Sequence, residues 1–243
     1  MTLFITSSPF VEGADRAILS NANGFVDRIR QALPPTPRAL FICADPDSHQ
    51  MTCQFGADVA SAFAQEGIPF SAYQVLDGEN ADDAASLIAQ TDFIVLSGGH
   101  VPTQNAFFQD IDLADLLQDF PGTIMGISAG SMNLAENVYI QPEEPGESSP
   151  DFARFAPGLG LTDVNILPHY QKVKDVWLDG RRLFEDITYA DSYGQMFFVL
   201  PDGSYFYQDG QKLLLCGESW LIHDGEIEPL LHNGEVQNLD EWN

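Results

Sequence analysis

The feature that most narrows the fold is a rhythm along the first half of the chain. Short apolar runs rich in β-formers recur at "LFITS" (residues 3–7), "ALFICA" (39–44), "FSAYQVL" (70–76), "DFIVLSGG" (92–99) and "TIMGI" (123–127). Segments of helical spacing separate them, at 14–33, from Ser48 as a cap to Gly67, at 81–90 and at 105–118. Asn23-Gly24 weakens the middle of the first. A strand with no polar side must be buried on both faces, which is how parallel strands beneath helices read. The pattern predicts an α/β fold with a mostly parallel sheet and helices on both faces. Its active edge is expected at the carboxyl ends of the parallel strands.

The second half changes character. "QPEEPGESSPDF" (141–152) reads as a loop, "LGLTDVNILPHYQ" holds a short strand ending at Pro168-His169, and "DGRRLFEDITYA" (179–190) reads as helical. From Met196 onward the chain reads as β-hairpins turned at Asp202-Gly203, Asp209-Gly210 and Asp224-Gly225. With no repeat and no linker, residues 1–243 are read as a single catalytic domain.

Composition excludes some roles. Asp plus Glu number 36 against 10 Lys plus Arg, a formal charge of −26. Such a surface repels phosphate backbones and anionic lipid, so neither nucleic acid nor membrane is expected as a partner. A solvated acidic surface explains the charge more simply than steering of cationic substrates. Cys43, Cys53 and Cys216 are widely spaced, and the N-terminal "MTLFITSSPF" has no secretory pattern, so a cytoplasmic location is expected.

The chemistry centres on Gly126-Ile127-Ser128-Ala129-Gly130, a G-x-S-x-G between an expected strand and an expected helix. A sharp strand-to-helix turn needs small neighbours, lifts the Ser128 hydroxyl above the sheet, and leaves the Ala129 N–H at a helix start. The plain alternative is a structural turn. His169 follows "VNILP" at a strand's carboxyl end, where a base for Ser128 belongs. His223 and His232 read as surface residues. Asp45, Asp47 and His49 lack the rest of a calcium loop, so no metal is expected. The carboxylate that would orient His169 could be Glu136, Glu143, Glu144, Glu147 or Asp151. Gly98-Gly99 ends a buried strand where a backbone N–H can approach a substrate oxygen.

Taken together, "LSGGHVPTQ", "GISAGS", "ILPHY" and the "PDGS" turn at 201–204 resemble the peptidase E (aspartyl dipeptidase) and cyanophycinase family of serine peptidases. That resemblance implies a class I glutamine-amidotransferase-like fold, a flavodoxin-like three-layer arrangement with C-terminal β-hairpins. It implies Ser128 as nucleophile, His169 as base, and Glu143, 15 residues past Ser128, as the acid, with Glu144 as alternative. Gly99 and Ala129 would form the oxyanion hole, and Gly98, His100, Tyr170, Arg181 and Arg182 would surround a small peptide substrate, with no cofactor. Where peptidase E has an arginine reading an N-terminal aspartate, the preferred register here has Leu178 or Asp179. His100 stands where peptidase E has asparagine. Both departures weaken the expectation of Asp-X specificity.

Two other readings compete. An α/β-hydrolase esterase or amidase shares G-x-S-x-G, but His169 follows Ser128 by only 41 residues and the chain then turns to hairpins. A non-catalytic binding protein on an amidotransferase-like fold would not need the intact parts. The expected assembly is a monomer or homodimer.

Overall fold

A computed structural model of the chain describes residues 1–210 and 212–240. Five strands, β1 (Thr2–Thr6), β2 (Arg38–Ile42), β3 (Ala72–Leu76), β4 (Phe93–Leu96) and β5 (Thr123–Ile127), run parallel in the order β1-β5-β4-β2-β3. Their side chains alternate between two cores, as a period of two requires. Leu3, Ile5, Leu40, Ile42, Ile94 and Ile124 enter one core; Phe4, Phe41, Phe93, Val95 and Met125 enter the other. Burying each such side chain is worth about 1.5–3 kcal/mol, so both faces demand cover. Helices α1 (Phe25–Ala32) and α2 (His49–Gln65) cover the second face with Phe25, Ile29, Val59 and Phe63. Helices α3 (Ala84–Ala89), α4 (Val101–Asp110) and α5 (Leu113–Leu117) cover the first with Leu87, Phe107, Phe108 and Leu113.

The helices are shorter than their sequence patterns. Asn23 (φ 53°) and Gly24 (φ 73°) are left-handed, so the helix expected from residue 14 begins only at Phe25. Asn21 Oδ1 accepts the Val26 N–H at 2.9 Å and fixes that start. Asp112, at φ 50°, splits the segment after α4. Ser48 sits at the start of α2, but its hydroxyl donates to Asp45 at 2.5 Å instead of capping the helix.

Past β5 come α6 (Ala129–Met132), β6 (Asn137–Tyr139), β7 (Phe155–Pro157), β8 (Ile166–Leu167) and α7 (Tyr170–Val173). The segment 179–190 is helical only in its second part. Asp179 (φ 49°) and Gly180 (φ 80°) turn a small hairpin of β9 (Trp177–Leu178) and β10 (Arg181–Arg182), and a π-helical stretch over Leu183–Thr188 leads into α8 (Tyr189–Asp191).

Among the described residues six strands follow: β11 (Met196–Val199), β12 (Tyr205–Asp209), β13 (Lys212–Cys216), β14 (Ser219–His223), β15 (Glu226–Leu231) and β16 (Val236–Asn238). The eight-stranded sheet runs β16-β13-β12-β1-β5-β4-β2-β3, with β12 antiparallel to β1, and a four-stranded sheet runs β15-β14-β11-β8. Hairpins form at Asp209-Gly210 and at Asp224-Gly225, the latter with φ of 47° and 86° as a type I′ turn requires. Asp202-Gly203 is not a hairpin turn. Strand β11 belongs to the smaller sheet and β12 to the larger, so the chain crosses between sheets there, beside the carboxyl end of β1. Among the described residues no helix is long and apolar enough to cross a membrane.

Candidate active site

Strand β5 ends at Ile127, and the next residue bends the chain sharply. Ser128 has φ 52° and ψ −113°, a conformation that side-chain-bearing residues rarely hold. The turn is possible because its glycines let the backbone close up. A Cβ on Gly126 would lie 2.6 Å from the Ser131 N and Cα, and one on Gly130 would strike the Leu96 carbonyl. The Ser128 N–H donates to the Thr6 and Ser7 carbonyls, tying the elbow to the end of β1. Such strain costs on the order of 1–3 kcal/mol. Ser128→Gly is therefore expected to melt roughly 2–8 °C above Ser128→Ala, both being inactive, in a thermal unfolding comparison.

His169 follows β8 and is itself left-handed, at φ 60°. That backbone turns the ring toward the elbow, and its Nε2 lies 2.8 Å from Ser128 Oγ. Nδ1 lies 2.6 Å from Asp202 Oδ1. Asp202 thus holds the place that the sequence reading assigned to Glu143 or Glu144. The reason is the crossing of the chain between sheets, which brings Asp202 to the carboxyl edge; read as a hairpin turn, it carried no functional signal.

The carboxylate is firmly held. Asp202 Oδ1 also accepts the Ser7 hydroxyl at 2.9 Å, and Oδ2 accepts Lys172 Nζ at 2.6 Å. Ser7 in turn accepts the His169 N–H at 2.8 Å. Burial by itself would raise the Asp202 carboxyl, but the hydrogen bonds from His169 and Lys172 outweigh it and keep the group well below the usual carboxylate range. Ser7 and Lys172 were missed because a serine at a strand end and a lone lysine are individually unremarkable in sequence.

Glu143 and Glu144 lie on the loop after β6. The Glu143 and Glu144 N–H groups both donate to Glu147 Oε2, at 2.8 and 2.9 Å, and His100 Nε2 lies 2.9 Å from Glu147 Oε1. His100 thus clamps this loop to the glycine loop, with its Nδ1 2.8 Å from Thr103 Oγ1. Burial of Glu147 would raise its carboxyl; the two N–H groups and His100 lower it overall. Glu143 lines a cavity of about 210 Å³ in front of Ser128, walled also by Gly99, Val101, Met132, Val176, Leu178 and Leu183.

Other expected site residues are placed differently. Gly98 packs behind the nucleophile, its position for a Cβ 3.3 Å from Ser128 Cβ. Tyr170 packs at a tilt on Trp220 (4.5 Å between centroids) and edge-on against Phe184 (5.5 Å) and is not part of the cavity wall. Arg181 and Arg182 are exposed on β10, and Arg182 pairs with Asp186 at 2.7 Å; neither reaches the cavity, because the Asp179-Gly180 turn points their strand outward. His49 meets the buried Asp77 at 2.6 Å, away from Ser128. His100, Glu144 and Glu147 come close together, a grouping explained by the clamp.

The profile of peptidase family S51 matches residues 15–219. The chain belongs to peptidase family S51. It is a hydrolase of the serine peptidase type. Among solved structures it is similar to a protein of Listeria monocytogenes EGD-e described as a candidate peptidase E, with TM-score 0.59 and 17% identity over 95% of this chain and 98% of that one. That likeness extends to the fold and agrees with the class I glutamine-amidotransferase-like architecture. No curated protein matches the chain.

Proposed function

We propose that this S51 peptidase hydrolyses small peptides by acyl transfer through Ser128. The observation that carries the reading is the unbroken line from Ser128 Oγ through His169 to Asp202, at 2.8 and 2.6 Å. With Asp202 ionised, His169 carries its proton on Nδ1, which leaves Nε2 free to take the Ser128 proton. Ser128 Oγ then attacks the scissile carbonyl. The Ala129 N–H, first in its helix and without a preceding turn to bond, and the Gly99 N–H at the cavity wall supply the oxyanion donors. His169 returns the proton to the leaving amine, and water releases the acyl group by the reverse proton path.

The thiols of Cys43, Cys53 and Cys216 are free, in keeping with a cytoplasmic enzyme. A fluorophosphonate probe tests the nucleophile. Labelling of wild type is expected, absent in Ser128→Ala and reduced by at least ~10³-fold in rate in His169→Ala. Folded wild type that takes no label would count against the reading.

A further inference from the structure

The cavity in front of Ser128 has a chemistry of its own. Its side-chain walls are mostly apolar: Val101, Met132, Val173, Val176, Leu178 and Leu183. No Lys or Arg lines it among the described residues, and its ionisable groups are His169 and Glu143. At about 210 Å³ it is smaller than the ~300–1,000 Å³ typical of drug-sized pockets, so it suits one residue and not an extended peptide.

Glu143 is the odd member. Its side chain reaches solvent, yet it stands in a concave wall where burial, with Glu147 and Glu144 nearby, pushes its carboxyl above the usual range against the opposing pull of His100. Among the described residues its carboxylate has no hydrogen-bond or ion-pair partner, unlike Glu147 and Asp202. The clamp from His100 through Glu147 to the Glu143 N–H fixes the Glu143 backbone at the cavity wall, so its carboxylate needs only its own short side chain to reach a group bound there. A crowded, unpaired anion is stabilised by an arriving cation and destabilised by an arriving anion. An internal peptide residue brings only a neutral amide. The N-terminal residue of a peptide brings an α-ammonium attached to the carbon that carries its side chain.

Where the peptidase E resemblance implies a subsite for an N-terminal aspartate, we infer that this chain instead selects an apolar first residue, its side chain against Val176, Leu178 and Leu183 and its α-ammonium on Glu143. This rests on the serine peptidase reading above. Peptides beginning with Asp or Glu would set a second carboxylate against Glu143 with no cation to meet it.

The test is a panel of dipeptides and aminoacyl anilides led by Leu, Met, Lys, Asp and Glu, each free and N-acetylated, with fluorophosphonate labelling run in parallel. Leu or Met leaders with a free amine are expected to exceed Asp and Glu leaders by at least ~100-fold in kcat/KM. N-acetylation should cost at least ~100-fold. Glu143→Gln should raise KM for free-amine substrates ~10–100-fold with little change in kcat, and so shrink the difference between free and acetylated substrates. Val176 is 37% exposed, so Val176→Arg should fold normally and raise Asp-leader activity ~10-fold. Preference for Asp, Glu or Lys leaders, or equal cleavage of acetylated substrates, in enzyme that still takes the label on Ser128 would overturn the inference and leave the peptidase reading standing. Absence of labelling would overturn both.

Discussion

Asp202→Asn is expected to lower kcat by roughly 10³–10⁴-fold while the protein stays folded. The asparagine side chain can present an amide N–H to His169 Nδ1, which favours the tautomer with its proton on Nε2. That nitrogen then faces Ser128 Oγ, 2.8 Å away, as a donor and cannot take the hydroxyl proton. Lys172 and Ser7, which both donate to the native carboxylate, lose an anionic acceptor as well. Fluorophosphonate labelling should slow in parallel with kcat. The contrast with Glu143→Gln is decisive, since Glu143 should act on KM. A near-normal kcat in Asp202→Asn together with a lost one in Glu143→Gln would return the acid role to the loop after β6.

The same substitution has a pH signature. The native carboxyl of Asp202 is held below its unfolded value, chiefly by His169 and Lys172 against the opposing effect of burial. The stability it contributes is therefore complete above the unfolded value and is lost as pH falls toward the native one. Asn cannot titrate, so the difference in denaturant midpoint between wild type and Asp202→Asn should stay constant down to about pH 5 and narrow progressively below it.

How much of this was legible beforehand depended on whether the signal was local. The parallel strands were, because each carries its own apolar run; β3, β4 and β5 sit within the expected segments, and β1 and β2 begin one residue before theirs. Ser128 was legible because the elbow needs its glycines in consecutive sequence. His169 was legible because it abuts its strand. Asp202 was not: "PDGS" has the composition of a hairpin turn, and nothing local reveals that β11 and β12 belong to different sheets. The placement of Ser7 is equally non-local, since its hydroxyl donates across 195 positions. The helix over 14–33 is cut short for a local reason, the left-handed Asn23-Gly24 pair, which no helix can run through. Arg181 and Arg182 failed because a two-residue turn reversed the strand that carries them.

The largest structural effect is expected from closing the space inside the elbow. A Cβ at Gly130 meets the Leu96 carbonyl and carbonyl carbon, and these belong to the backbone of central strand β4 and cannot rotate aside. At Gly126 the obstacle is the Ser131 backbone, together with a hydroxyl that accepts the Thr6 N–H at 2.8 Å and donates to the Thr6 carbonyl at 2.8 Å. Adding a methyl at either position overpacks a dense core, at about 1–3 kcal/mol or more. For a chain of this length that corresponds to a fall in Tm of roughly 2–12 °C. The two variants should differ in how they lose activity. Gly130→Ala presses on β4 just before the glycine loop, so Gly99 shifts relative to Ser128 and the oxyanion donors separate. Gly126→Ala presses on Ser131 and through it on the end of β1, where Ser7 holds both His169 and Asp202. A misplacement of about 1 Å costs ~10²-fold in rate, so each variant should lose at least that much kcat at temperatures where it remains folded. Circular dichroism melts paired with labelling rates check this; wild-type rates in either variant would mean that the elbow tolerates a side chain the packing forbids.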